Sequence, residues 1–212
     1  MKRLLCGVLA ALMAFACAAA LAEYDFSGLT LEELYDIRGK LDEAIVSLET
    51  AEGCRVYESG GYAVGRDIPA GDYLLVENED AVFASVMLRE NNSEDAGLLM
   101  SHLVNGQAAI HLAKDTWLTL SEARAYPLSQ SPYQFTGEAG EGGYLVGAML
   151  PAGDYEVCPV EKAPLSSYSV YDGILGTGAQ LTKFEVLREA AVVSLAEGEY
   201  LELSGCTIRQ AD

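Results

Sequence analysis

The chain has 212 residues, with 13 basic against 32 acidic side chains and a formal net charge of −19. Half of the residues are apolar and about a fifth are charged, which excludes wholesale disorder and supplies a packed core. The negative field repels phosphate backbones and anionic lipid surfaces, so nucleic-acid and peripheral-membrane binding are excluded as leading functions.

Residues 1–22 read as a signal peptide. Lys2 and Arg3 precede an apolar stretch from Leu4 to Leu21, and Ala20-Leu21-Ala22 is a small-x-small pattern for cleavage before Glu23. A membrane anchor is the alternative, because the stretch is just long enough to span a bilayer. Its Ala-rich composition and cleavage pattern favour release, and hence a secreted or cell-surface protein. Cys17 offers a minor lipoprotein alternative, but Ala14-Phe15-Ala16-Cys17 lacks the Leu expected three residues before the Cys. Cleavage leaves 11 basic and 32 acidic residues, a net charge of −21. Such an excess keeps an exported chain soluble and permits cationic partners or divalent ions. Once the signal is removed no membrane insertion is expected.

Residues 23–52 form an amphipathic helix segment. Thr30 and Glu33 have the spacing of a capping box, and Leu34, Ile37, Leu41, Ala44 and Leu48 fall on one face beside Ile45. Gly53 fits the stop position. An isolated helix over 31–49 is marginal in water. Its stripe therefore packs on the rest of the chain or drives self-association as a short coiled coil.

The remainder is a repeat. Gly60-Gly61-Tyr62-Ala63-Val64-Gly65 matches Gly142-Gly143-Tyr144-Leu145-Val146-Gly147, and Ile68-Pro69-Ala70-Gly71-Asp72-Tyr73 matches Leu150-Pro151-Ala152-Gly153-Asp154-Tyr155. Farther on, Ala109–Ala113 aligns with Val192–Ala196, and Trp117–Ser121 with Tyr200–Ser204, one residue out of step with the earlier offset. Duplication of one folding unit leaves this trace. Val82, Ala84, Val86 and Leu88 alternate with Phe83, Ser85, Met87 and Arg89, a strand period. Pro-Ala-Gly suits a three-residue hairpin loop, and Asp115-Thr116 and Gly198-Glu199 mark a second hairpin. Tyr126–Pro132 reads as a linker. The expected fold is mainly β: one amphipathic helix, then two tandem small sandwich or jelly-roll repeats over 53–128 and 129–212, each of six or seven strands.

With Ser27-Gly28-Leu29-Thr30-Leu31-Glu32-Glu33-Leu34 ahead of Tyr62-Ala63-Val64-Gly65-Arg66-Asp67-Ile68-Pro69-Ala70-Gly71-Asp72-Tyr73, the chain resembles uncharacterised secreted and surface proteins of Gram-positive anaerobes. These carry an SGL-(S/T)-x-x-EL helix and Y-x-VG-x-DIPAG-x-Y β modules. The resemblance implies location and order of parts, and brings no activity, cofactor or site residue. The second repeat departs from the pattern, with Met149-Leu150 in place of Asp-Ile. At fold level the repeats are also similar to small jelly rolls appended to secreted peptidases, an analogy only.

Catalytic chemistry finds little footing. The two histidines, His102 and His111, lie on expected strands without a nucleophile motif, and His111 aligns with Ser194. Carboxylates are plentiful, but nothing singles out a pair for glycoside hydrolysis. The oxygen-rich loops Glu77–Asp80 and Glu90–Asp95 lack the spacing of a known calcium loop. With no Cys-x-x-Cys pair, a zinc site has no support. Three cysteines survive signal removal: Cys54, Cys158 and Cys206. Cys158 and Cys206 are a possible disulfide, with free thiols the alternative. Aromatics remain. Trp117, Tyr73, Tyr155 and Tyr200 are candidate ligand-binding residues, since exposed rings stack on sugars or anchor proteins, although repeated residues of a duplicated fold are more often core. The reading is a non-enzymatic envelope-binding module for a glycan, wall polymer or protein, with no cofactor. A self-associating assembly component and a secreted hydrolase are the alternatives.

Overall fold

The computed structural model describes residues 28–34, 37, 40 and 55–211. Residues 1–22, read as a signal peptide, most of the apolar helix stripe, Gly53 and Cys54 lie outside the described residues. The chain divides into two units, Met1–Val46 and Ser47–Asp212.

In the first unit the capping box forms as read. The Thr30 N–H donates to Glu33 Oε2 at 2.8 Å, and the Glu33 N–H donates to Thr30 Oγ1 at 3.3 Å. Two donors that a helix start leaves unpaired are thereby satisfied. The bond from the Thr30 backbone, followed by that from its hydroxyl, lowers the Glu33 pKa.

Among the described residues of the second unit the regular structure is β, apart from a 3-10 turn at Leu128–Gln130. The first seven strands are β1 (Gly60–Ala63), β2 (Gly71–Glu77), β3 (Ser85–Arg89), β4 (Leu98–Leu103), β5 (Gln107–Leu112), β6 (Trp117–Ser121) and β7 (Ala123–Pro127). Eight more follow: β8 (Glu138–Ala139), β9 (Gly142–Leu145), β10 (Gly153–Pro159), β11 (Ser167–Tyr171), β12 (Leu181–Val186), β13 (Ala191–Leu195), β14 (Tyr200–Ser204) and β15 (Cys206–Gln210). The named strands pair antiparallel in four sheets. The first set orders as β1-β6-β3-β4 and β5-β2-β7, and the second as β9-β14-β11-β12 and β13-β10-β15-β8. Under the repeat alignment β1–β7 map onto β9–β15, and the orders coincide. Even β8 has a counterpart, because Tyr57 bridges Ala125 where Ala139 pairs with Ile208.

Neither expected hairpin is one. β1 and β2 lie in different sheets, as do β5 and β6, so each turn carries the chain between sheets. At the first crossing Val64 bridges Ile68 in parallel and the Gly65 N–H donates to Ile68 O at 2.7 Å; Val146, Gly147 and Leu150 repeat this. Asp115 (φ 66°) and Gly198 (φ 87°) share the left-handed conformation at the second crossing. Turn residues specify a reversal, but the sheet that the next strand joins is set by which apolar faces must meet. The expected strand from Val82 begins at Ser85, because Val82 and Phe83 give their N–H groups to Glu122 Oε2 at 2.8 and 3.0 Å. Tyr126 and Pro127, read as linker, pair with Leu74 and Tyr73 in β7.

Each strand set encloses a core. Ile68, Leu75, Val86, Ile110, Leu118 and Leu120 anchor the first, and Tyr155, Tyr168, Leu201, Leu203 and Ile208 the second. A fully buried Leu or Ile side chain contributes about 1.5–3 kcal/mol. The cores also touch. Leu74 and Ala109, on the far side of the first set's β5-β2-β7 sheet, belong to the second core. Leu175, between β11 and β12, packs against both cores, bridges Ile110 and accepts the His111 N–H at 2.7 Å.

One residue of the repeat motif has a pH signature. The Asp67 carboxylate pairs with Arg66 and accepts the Ala63 N–H at 2.9 Å. The Arg66 side-chain bond first, then that from Ala63, lower its pKa to about 2. A folded-state pKa below the unfolded value gives stability that is present above about pH 4 and lost as pH falls toward about 2. Asp67→Asn therefore lowers the melting temperature at neutral pH, and its difference from wild type vanishes across that acid window. Met149, buried at the equivalent position, gives the second set no such dependence.

Candidate functional site

The repeated tyrosines turn out to be fastenings. Tyr62, Tyr73, Tyr144 and Tyr155 each send a hydroxyl to the carbonyl four residues earlier, on Glu58, Pro69, Gly140 and Pro151, at 2.6–2.9 Å. Tyr73 and Tyr155 are buried, at 3% and 0% exposure, and Tyr200 is at 0%. These three candidate binding residues have no open ring face for a ligand; a ring that closes a turn must lie against it, which puts it in the core. Rings that the two repeats do not share pack on them: Tyr57 against Tyr62 and Tyr73, Tyr133 against Tyr144, and Phe135 against Tyr155. Burial pushes the Tyr133 hydroxyl up to about 12 and Tyr144 higher still.

Trp117 differs. Leu118 and Leu120 point into the core, so Trp117, Thr119 and Ser121 face away from it on the outer side of β1-β6-β3-β4. Trp117 pairs with Ala63 on β1 and Arg89 on β3, and Thr119 pairs with Gly61 and Met87. The resulting face carries one half-buried indole, a guanidinium, a thioether and small residues. The indole covers Gly61, where an added Cβ would lie 2.8 Å from Trp117 Cζ2.

The equivalent face of the second set is occupied. Tyr200 stands where Trp117 does and covers Gly143, an added Cβ of which would fall inside the Tyr200 hydroxyl. Ala109 and Leu74 of the first set pack there, and His102 Nε2 reaches Glu202 Oε1 at 3.3 Å. Burial, followed by the Glu202 charge, drives the Tyr200 pKa well up. One sheet face, used twice, is covered in the second copy and, among the described residues, partly open in the first. The Gly-aromatic pairing was present in both repeats as Gly-Gly-Tyr with a later Trp or Tyr, but only the register reveals that they meet.

The remaining candidates do not converge. His102 meets Glu202, and His111 Nδ1 lies 2.7 Å from Asp72 Oδ1, its register partner on β2. Among the described residues no hydroxyl or thiol hydrogen-bonds to either ring. The acidic loops spend oxygens on backbone N–H groups: Glu77 accepts that of Gly106, in the turn between β4 and β5, at 2.7 Å, and Asn91 accepts that of Ser93 at 2.9 Å. Among the described residues no three His, Cys, Asp or Glu side chains gather around a metal position.

Cys158 and Cys206 are free thiols, not a disulfide. Cys206 is opposite Pro159 while Cys158 is opposite Thr207, a one-residue offset that sends the two side chains to opposite faces of the sheet. Cys206 points into the core, and Cys158 lines a groove with Glu138, Thr207 and Arg209. Among the described residues no helix is long and apolar enough to cross a membrane. Comparison with known protein families and with curated proteins gives no match.

Proposed function

We propose that the chain is a non-enzymatic module of the cell envelope or its surroundings, built as two tandem jelly rolls, that binds a glycan through the outer β1-β6-β3-β4 face of the first roll. The strand orders support the jelly-roll reading: each half carries the chain back and forth between two sheets, with one pair of consecutive strands, β3–β4 or β11–β12, kept in the same sheet. The observation that carries the binding reading is the contrast between the two copies of one sheet face. In the second roll the aromatic of that face is sealed by the first roll, whereas Trp117 retains partial exposure beside Arg89, Met87 and Thr119. A flat face with one aromatic platform and flanking polar groups suits a sugar ring, whose apolar side stacks while its hydroxyls find donors. Export through residues 1–22 places the module where wall polymers are found.

The test is co-sedimentation of the purified protein with insoluble wall material and common polysaccharides, with and without calcium. Saturable pelleting that Trp117→Ala reduces, while leaving the melting temperature near wild type, supports the reading. Pelleting insensitive to Trp117→Ala moves the glycan to another face, and none under either condition sets the glycan aside and favours a protein ligand.

A further inference from the structure

In each roll one sheet ends in an edge strand with no further strand beside it among the described residues, β4 in the first and β12 in the second. Such edges present a row of free N–H and C=O groups, and a long apolar one is a pairing site. On β12 the phase of that row is readable. The Leu187 N–H donates to Ser166 O at 2.8 Å, and Glu185 and Lys183 are register partners of Tyr168 and Val170. Antiparallel alternation therefore turns the backbone groups of Phe184 and Val186 outward. Their side chains are exposed as well, at 57% and 50%.

The residues around that point are self-complementary. Lys183 and Glu185 flank Phe184 on the opposite side of the strand, 3.6 Å apart, with Lys183 over the Tyr168 ring and Glu185 accepting the Tyr168 hydroxyl. An antiparallel copy centred on Phe184 sets Lys183 opposite the partner's Glu185, Glu185 opposite the partner's Lys183, and the two Phe184 rings side by side. Opposite charges and aromatic pairs across strands each contribute about 0.2–1 kcal/mol, besides the backbone bonds gained. The β4 edge offers no equivalent. Centred on Ser101 it would set Met100 against the partner's His102, and it borders a groove of about 220 Å³ already shared with Leu175 and Ala179 of the second roll.

We propose that the β12 edge pairs with the β12 edge of a second copy of this chain, about a twofold axis through Phe184, joining two four-stranded sheets into one of eight. This is an isologous contact and closes on itself, so it yields dimers and not fibres. It is independent of the glycan reading, since the Trp117 face is on the other roll and stays open.

Sedimentation equilibrium of the purified full chain tests it, at about 150 mM salt, where long-range repulsion between acidic copies is screened. A wild-type dimer is expected, with Lys183→Glu alone and Glu185→Lys alone each weakened about tenfold or more. Mixing those two variants restores the dimer, because each charge then meets its opposite. Phe184→Pro removes the outward N–H together with the ring, keeps every internal ladder bond, and gives a folded monomer. A wild-type monomer at all concentrations overturns the proposal, as does a mixture that fails to dimerise. A dimer dissolved by Ile37→Lys in the helix, but not by Phe184→Pro, also overturns it.

Discussion

Gly143→Ala lowers the stability of the protein by about 3 kcal/mol, at the upper end for overpacking a core. For a chain of this size that is a fall of about 6–12 °C in melting temperature. The new methyl would fall inside the Tyr200 hydroxyl and lie 2.5 Å from Cζ. Tyr200 is fully buried beneath Ala109 and Leu74 and has nowhere to swing. Gly61→Ala is the matched control: the same substitution beneath Trp117 costs about 1 kcal/mol, because a partly exposed indole tilts away. Tyr200→Phe alone has a small effect, since the buried hydroxyl makes no well-formed hydrogen bond among the described residues, with the Ala109 backbone as its polar neighbour. Combined with Gly143→Ala it recovers part of the loss, and this non-additivity is the signature of direct contact. Thermal and urea melts of the four variants check this.

Gly176→Ala costs about 3 kcal/mol and splits the unfolding transition in two. Gly176 sits at φ +93°, and an added Cβ would collide with the His111 carbonyl oxygen. The left-handed conformation alone costs a non-glycine residue about 1–2 kcal/mol. Relief of the collision must lift the Leu175 loop from β5, releasing the side chain that packs on both cores and the bond from the His111 N–H. The wild-type rolls then unfold as one cooperative unit and the variant rolls separately. Gly178→Ala isolates the backbone component, because Gly178 has φ +81° with open space around it; it costs about 1–2 kcal/mol and keeps the single transition. Calorimetry distinguishes one peak from two.

Much of the β architecture is legible in the sequence. The period of two around Val86 and Leu88 marks a half-buried strand, and these residues prove to be core. Sequence could not say where a chain goes after a turn. Pro-Ala-Gly and Asp115-Thr116 read equally well as hairpins and as crossings, because turn chemistry is local and sheet membership is not. The tyrosines show the same limit from another side. Their repetition was plain, but a hydroxyl bound to a carbonyl four residues back leaves no pattern distinct from an exposed ring. For the cysteines the decisive fact was a register offset of one residue, which no spacing of Cys158 and Cys206 encodes. At the candidate site Trp117 was legible as a residue and Arg89, Met87 and Gly61 were not legible as its neighbours, since strand pairing alone brings them together. The open face itself emerged only by comparing two copies of one sheet, one sealed and one not.

Trp117 is the single tryptophan of the chain, so its fluorescence reports directly on the face assigned to binding. The decisive measurement is a titration of the protein with solubilised wall glycan, followed by tryptophan emission. A saturable blue shift or quench, with a midpoint matching that of pelleting, is the predicted result. Saturable pelleting with an unchanged emission spectrum would mean that ligand binds elsewhere, and would contradict the assignment of the first roll's outer sheet as the binding face.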